Sequence, residues 1–205
     1  ALAKVPEGDK QYTNAQWKIA NIRLDYLDQK YREEYGDFYS RLASPRNMSS
    51  DERLHLDTIH RNNLANHDKA IEALSNIRKT ERNRFLYLNI ARAYAQKLGI
   101  FLNSNSDDPY APADKRKSKE ERDKILEEAR KIYESVCQNV MDAHIHTSDA
   151  SIFFKEAPRG NPYSNFPNTP PFKNYEGMGH YYLSVADFLM GCSVPFGSPE
   201  WNKHT

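Results

Sequence analysis

Trp17, Ala20, Leu24, Leu27, Tyr31, Tyr35, Phe38 and Leu42 follow one another at steps of three and four residues. That period lays apolar side chains along one stripe of a helix, whereas a half-buried strand would bury every second residue. Lys18, Asp25, Lys30, Arg32 and Glu33 fall on the opposite face. The spacing therefore predicts an amphipathic helix from about Thr13 to Leu42, capped by Thr13 or Asn14. Gly36 weakens its last turns, and Ser44-Pro45 ends it, because proline drives the residue before it out of helical geometry.

The same period recurs three more times. Ser49 and Glu52 have the spacing of a capping box, in which serine oxygen and glutamate carboxylate each satisfy a backbone amide of the first turn. Behind this box Leu56, His60, Leu64, His67, Ile71 and Leu74 form an inward stripe. A third helix, from about Glu81 to Leu102, carries two apolar faces. Phe85, Leu88, Ala91, Ala95, Leu98 and Leu102 make one, and Leu86, Ile90, Tyr94 and Phe101 the other. Two such faces place it centrally, packed on both sides. Residues 103–117 are rich in turn formers and charges and predict an exposed connection. A second capping box, Ser118 with Glu121, starts a fourth helix whose buried face is Ile125, Ala129, Ile132, Tyr133, Val136 and Val140.

After His146 the character changes. Pro158, Pro162, Pro167, Pro170 and Pro171 preclude regular structure, yet Phe153, Phe154, Tyr163, Phe166, Phe172 and Tyr175 are interleaved with them. A segment so rich in aromatics is expected to lie extended and anchored on a surface, its own bundle or a partner. A short apolar helix from His180 to Met190 follows and stops at Gly191. The expected fold is all-α: a helical bundle or short helical-hairpin array of four long helices. It divides into a helical domain over 1–146 and an extended C-terminal segment over 147–205, with its short helix near 180–190.

Composition narrows the function classes. A formal charge of +1 and a pI near 7.9 supply no overall field for nucleic acid or an anionic membrane, so neither is an expected partner. No apolar run is long enough to span a bilayer, and a soluble protein is expected. The start at Ala1 without methionine fits removal of a targeting peptide, an organellar one included, or an engineered boundary. Two cysteines, Cys137 and Cys192, exclude a disulfide scaffold, and Cys137 falls on an apolar helix face.

The stretch from His67 to Gly99 and the helix after Ser118 also carry a family pattern. Ala70, Ile71 and Leu74, then Asn89, Ala91, Tyr94 and Gly99, and finally Ala129 and Tyr133, resemble the alternating helices of tetratricopeptide repeats. Residues 100–117 interrupt the pattern, and no repeat-type proline ends the first helix. The resemblance covers residues 67–99 and 118–140 and implies a helical-hairpin array used for protein binding.

Chemistry-bearing residues are few. His60 and His67 share a face but stand two turns apart, about 10 Å, too far to hold one metal without a third element. Core or interfacial histidines are the favoured reading. His144 and His146, near Asp142 and Asp149, would point the same way on a strand and so build a metal site, while at a helix C-terminus they would meet the negative end of the dipole. The helix end is favoured here. No nucleophile elbow, phosphate loop, dinucleotide signature or E-x-x-H pair occurs. No cofactor is implied, and an enzyme is not the expectation. Thirteen tyrosines suit an interface as well as a core. The sequence thus predicts a non-catalytic protein-binding or structural subunit of a larger assembly, acting through an aromatic helical face and the extended segment. The alternative is a metal-binding protein or metal-dependent enzyme using His60, His67, His144 and His146.

Overall fold

The computed structural model describes residues 2–41, 48–106, 116–145, 175–194, 198–199 and 201–204. These form helices, with no strand among them, and the protein is an all-α bundle. In chain order the long elements are α1 (Tyr12–Asn21), α2 (Asp28–Arg41), α3 (Ser50–Arg78), α4 (Arg84–Ser104), α5 (Lys119–Ile145) and α6 (Tyr175–Ser193). Short 3₁₀ turns at Leu2–Lys4 and Trp201–Lys203 flank them.

The predicted first helix is α1 and α2 joined by a π-helical stretch, Ile22–Leu27. Neither Thr13 nor Asn14 caps it; Gln11 occupies the cap position without a side-chain hydrogen bond. Both capping boxes form as expected. The Glu52 carboxylate accepts from the Ser49 amide at 2.6 Å while Ser49 Oγ accepts from the Glu52 amide at 3.2 Å. The matching distances at Ser118 and Glu121 are 2.7 and 3.1 Å. At the start of α4, buried Asn83 accepts from the Leu86 amide at 2.9 Å, so this helix opens three residues later than predicted.

The two faces of α4 explain the architecture. Its Leu86, Ile90 and Ala93 join Ala20, Leu24, Ala70, Ala73, Leu74 and Ile77 in one core shared by α1, the π stretch and α3. Its Leu88, Ala91, Ala95 and Leu98 join Ala129, Val136, Tyr182, Ala186 and Met190 in a second core shared with α5 and α6. Alanines at these contacts let the helix axes approach closely, and each buried leucine or isoleucine contributes roughly 1.5–3 kcal/mol of transfer free energy.

α6 is longer than predicted at both ends, and Gly191 lies inside it rather than ending it. Packing on α4 and α5 supplies the reason: buried Tyr182, Ala186, Met190 and Val194 recur at four-residue steps and run past the glycine. Of the segment 147–174 the extended conformation predicted above lies outside the described residues. No helix among the described residues is long and apolar enough to cross a membrane.

Candidate functional site

Polar side chains gather where α2, α3, α4 and α6 meet. Asp28, at the first position of α2, is buried and accepts from Arg32 Nε at 2.9 Å and Nη2 at 2.6 Å. Behind it, fully buried His67 of α3 donates through Nδ1 to the Asn63 carbonyl at 3.0 Å, leaving Nε2 turned to Asp28 Oδ1 at 3.8 Å. A carbonyl only accepts, so Nδ1 carries the proton and Nε2 holds a lone pair while the ring is neutral. Burial favours that neutral ring and lowers the His67 pKa, against the Asn63 carbonyl and the Asp28 carboxylate, which raise it.

α4 contributes Arg92 and Gln96. The Arg92 guanidinium donates to Asp25 at 2.5 Å and reaches the Leu24 carbonyl at 3.4 Å, both in the π stretch. Such a stretch widens the helix by one residue per turn and so turns Asp25 toward α4 rather than solvent. Asp25 and Arg32, read from the sequence as solvated, therefore belong to the interior network. Burial works against the Arg92 charge, and the Asp25 carboxylate, with Asp28 beyond it, more than restores it. Tyr182 of α6, 4% exposed, closes the cluster, its phenol pushed up to about 12 chiefly by burial and so neutral at all ordinary pH.

Several atoms here lack a hydrogen-bond partner among the described residues: both side-chain polar atoms of Asn63 and of Gln96, His67 Nε2 and Arg92 Nε. Each such buried orphan costs about 1–3 kcal/mol, and their gathering at one junction marks a place built for something other than packing. Beside them opens a cleft of about 230 Å³, with Asp28, Arg92 and Gln96 on one wall and Tyr181, Val185 and Leu189 on the other.

A second, more apolar groove of about 220 Å³ lies between the start of α4, the end of α5 and the start of α6. Leu88, Val140 and Leu183 line it, with Arg84, His144 and His180 as its polar members. Arg84 Nε donates to the Ala143 carbonyl at 3.0 Å and ties α4 to the end of α5. Gly179 forms the floor: a Cβ there would stand 3.1 Å from Val140 Cγ1. Met141, 60% exposed, and Ile145, 71% exposed, sit one turn apart at this end of α5.

The sequence-predicted site residues are thus dispersed over different roles. His60 is buried, hydrogen-bonded through Nδ1 to the Tyr31 hydroxyl at 3.0 Å, and lowered in pKa chiefly by burial. His67 serves the polar junction and His144 the groove, in the last turn of α5 as the helix-end reading expects. No three His, Cys, Asp or Glu side chains among the described residues are placed to hold one metal ion. His146, Phe153, Phe154, Tyr163, Phe166 and Phe172 lie outside the described residues, and Tyr175 is the first residue of α6. A small cluster that the sequence did not suggest closes the C-terminus: Tyr133 donates to Asp187 Oδ1 at 2.7 Å, and His204 Nδ1 meets the same oxygen at 3.1 Å.

Comparison of the chain with protein-family models, with curated proteins and with solved structures gives no match.

Proposed function

We propose that this protein is a non-catalytic binding subunit that seats an apolar, acidic segment of a partner protein in the groove between α4, α5 and α6. The observation that carries this reading is the pair Met141 and Ile145. Both are exposed large apolar side chains one helical turn apart, beside a groove whose lining is already largely apolar. Exposed apolar groups in such a cluster mark interaction surfaces, whereas the same groups scattered singly need no explanation.

Charge selects the partner's chemistry. The groove's lining includes Arg84, His144 and His180 and no carboxylate. Apolar anchors flanked by Asp or Glu complement such a rim, and the charges would govern association rate and register more than affinity. The resemblance to tetratricopeptide helical hairpins agrees with this use of an inter-helix groove, and the aromatic segment 153–175 is proposed as a second part of the same interface. An accessory subunit of a larger assembly is the biological form the reading takes.

The test combines size and position. A photo-crosslinking residue at Met141 in the native cell should give one adduct with a partner protein, absent when the same group replaces exposed Lys131 on α5. Met141→Asp with Ile145→Asp should abolish the adducting complex while the helical content stays unchanged. A chain that runs as a 23.8 kDa monomer in native extract and yields no adduct from position 141 would end the proposal.

A further inference from the structure

The cleft at the junction of α2, α4 and α6 lies apart from the proposed partner groove, and its features are those of a small-molecule site. From these features we infer that the cleft binds an uncharged planar molecule bearing a carboxamide or lactam edge. Size sets the first limit: about 230 Å³ equals the volume of about eight waters and falls below the roughly 300–1,000 Å³ of drug-sized pockets. The occupant is a small metabolite, of single-ring dimensions.

Charge sets the second limit. Each ion at the polar wall already has a counter-ion, Arg32 with Asp28 and Arg92 with Asp25. The wall is neutral in sum, with neither surplus charge to capture an anion nor a bare carboxylate to capture an amine. A charged ligand would leave water without a compensating partner.

Hydrogen-bonding capacity sets the third. Gln96 lines the cleft with its carboxamide nitrogen and oxygen both without partners among the described residues, and Arg92, beside it one turn earlier on α4, has Nε–H in the same state. A carboxamide that must donate and accept side by side is matched by another amide edge, which offers one C=O and one N–H in a plane. Arg92 Nε–H then serves the second lone pair of the ligand carbonyl. Opposite this wall stand Tyr181, Val185 and Leu189, an aromatic and aliphatic surface suited to the face of a ring. His67 and Asn63, completely enclosed behind Asp28, do not reach the cleft and are matched by buried water instead.

Two common sources share this chemistry, a heteroaromatic carboxamide and a pyrimidine lactam, and nicotinamide and uracil are the probes for them. Titration of either into isotope-labelled full-length protein, followed by amide NMR, should shift resonances of residues 92–100 and 181–189 in a saturable manner. Saturation by one probe alone identifies the source. Nicotinate, the same ring with a carboxylate, should bind at least about tenfold more weakly, as expected when one hydrogen-bonding group is replaced by an unpaired charge. Gln96→Leu should keep the fold, since it removes two orphaned polar atoms, and should weaken binding by about tenfold or more. Val185→Trp fills the cleft from its apolar side and should abolish binding with the polar wall intact. The inference is overturned if neither probe shifts these resonances at millimolar concentration, if nicotinate binds as well as nicotinamide, or if neither variant alters the titration.

Discussion

Nε2 of His67 stands 3.8 Å from Oδ1 of Asp28 with its lone pair, not a proton, turned to the carboxylate. The Asn63 carbonyl fixes this tautomer by taking the proton of Nδ1, so the two acceptors face each other across a gap too long for a hydrogen bond. Protonation would turn the repulsion into an ion pair, yet complete burial holds the pKa of the ring below its usual 6.5. The contact is therefore poised between two electrostatic states.

A pH dependence of stability follows. In the unfolded chain the imidazole titrates near 6.5, and in the folded protein it titrates lower, so acid protonates the unfolded state first. The contribution of His67 is fully present above pH 6.5 and is lost as pH falls through its folded value, with a slope of up to about 1.4 kcal/mol per pH unit. His60, also lowered by burial, acts in the same direction. Urea midpoints measured between pH 8 and pH 5 should fall, and His67→Gln should remove part of that slope. An identical slope in the variant would show that the ring titrates normally.

How much of this arrangement could be read from residues alone depends on where each partner comes from. The stripes from Trp17 and from Leu56 are legible because their period is local, and both capping boxes are legible because donor and acceptor lie three residues apart. The π stretch is not. Ile22, Leu24 and Leu27 keep the rhythm of an ordinary helix, and the widening is stabilised by Arg92, nearly seventy residues away in sequence. One signal did exist: α4 has apolar residues on two faces, so Arg92 and Gln96 had no solvent face to occupy and required interior partners. Likewise α6 outruns Gly191 because it rests on α4 and α5, a support that no local pattern reveals.

Arg92 should be the most costly polar residue to remove. Arg92→Met leaves Asp25 and the Leu24 carbonyl without their donor in a largely enclosed position, which should destabilise by about 2–4 kcal/mol. Adding Asp25→Asn should restore part of the loss, giving a coupling of about 1–3 kcal/mol in a double-mutant cycle by chemical denaturation. Additive losses would mean that the ion pair does not hold the π stretch.

Two helical glycines should respond with opposite signs. At Gly36 a Cβ would meet nothing within 4 Å, so Gly36→Ala should stabilise by about 0.5–1 kcal/mol through helix propensity. At Gly179 the same atom would stand 3.1 Å from Val140 Cγ1 and 3.7 Å from Leu88 Cδ2. Both neighbours are packed in the core, so Gly179→Ala should push α6 from α5 and cost about 1–3 kcal/mol. Thermal melts of the two variants test this, and stabilisation by Gly179→Ala would refute the close approach that shapes the partner groove.

The two thiols should differ in reactivity, and the difference reports on the C-terminal turn. Cys192 is exposed, whereas Cys137 is partly enclosed beside the Tyr133 hydroxyl. Burial pushes the Cys137 thiol up, the Tyr133 hydrogen bond pulls it partly back, and the Asp187 carboxylate pushes it up again. Since the thiolate is the attacking species, an aromatic disulfide reagent near pH 8 should label Cys192 in a fast phase and Cys137 in a slow one, separated by about tenfold or more. Cys192→Ser should remove the fast phase alone. The His204 ring packs edge-on against Tyr133 at 5.0 Å while its nitrogen holds Asp187, so the turn Trp201–Lys203 covers this corner of α5 and α6. Removing residues 201–205 should therefore accelerate Cys137 and leave the Cys192 rate as it was. If the truncated protein labels Cys137 no faster, the slow phase comes from α5 and α6 alone, and the C-terminal turn is an ornament on the bundle rather than its cover.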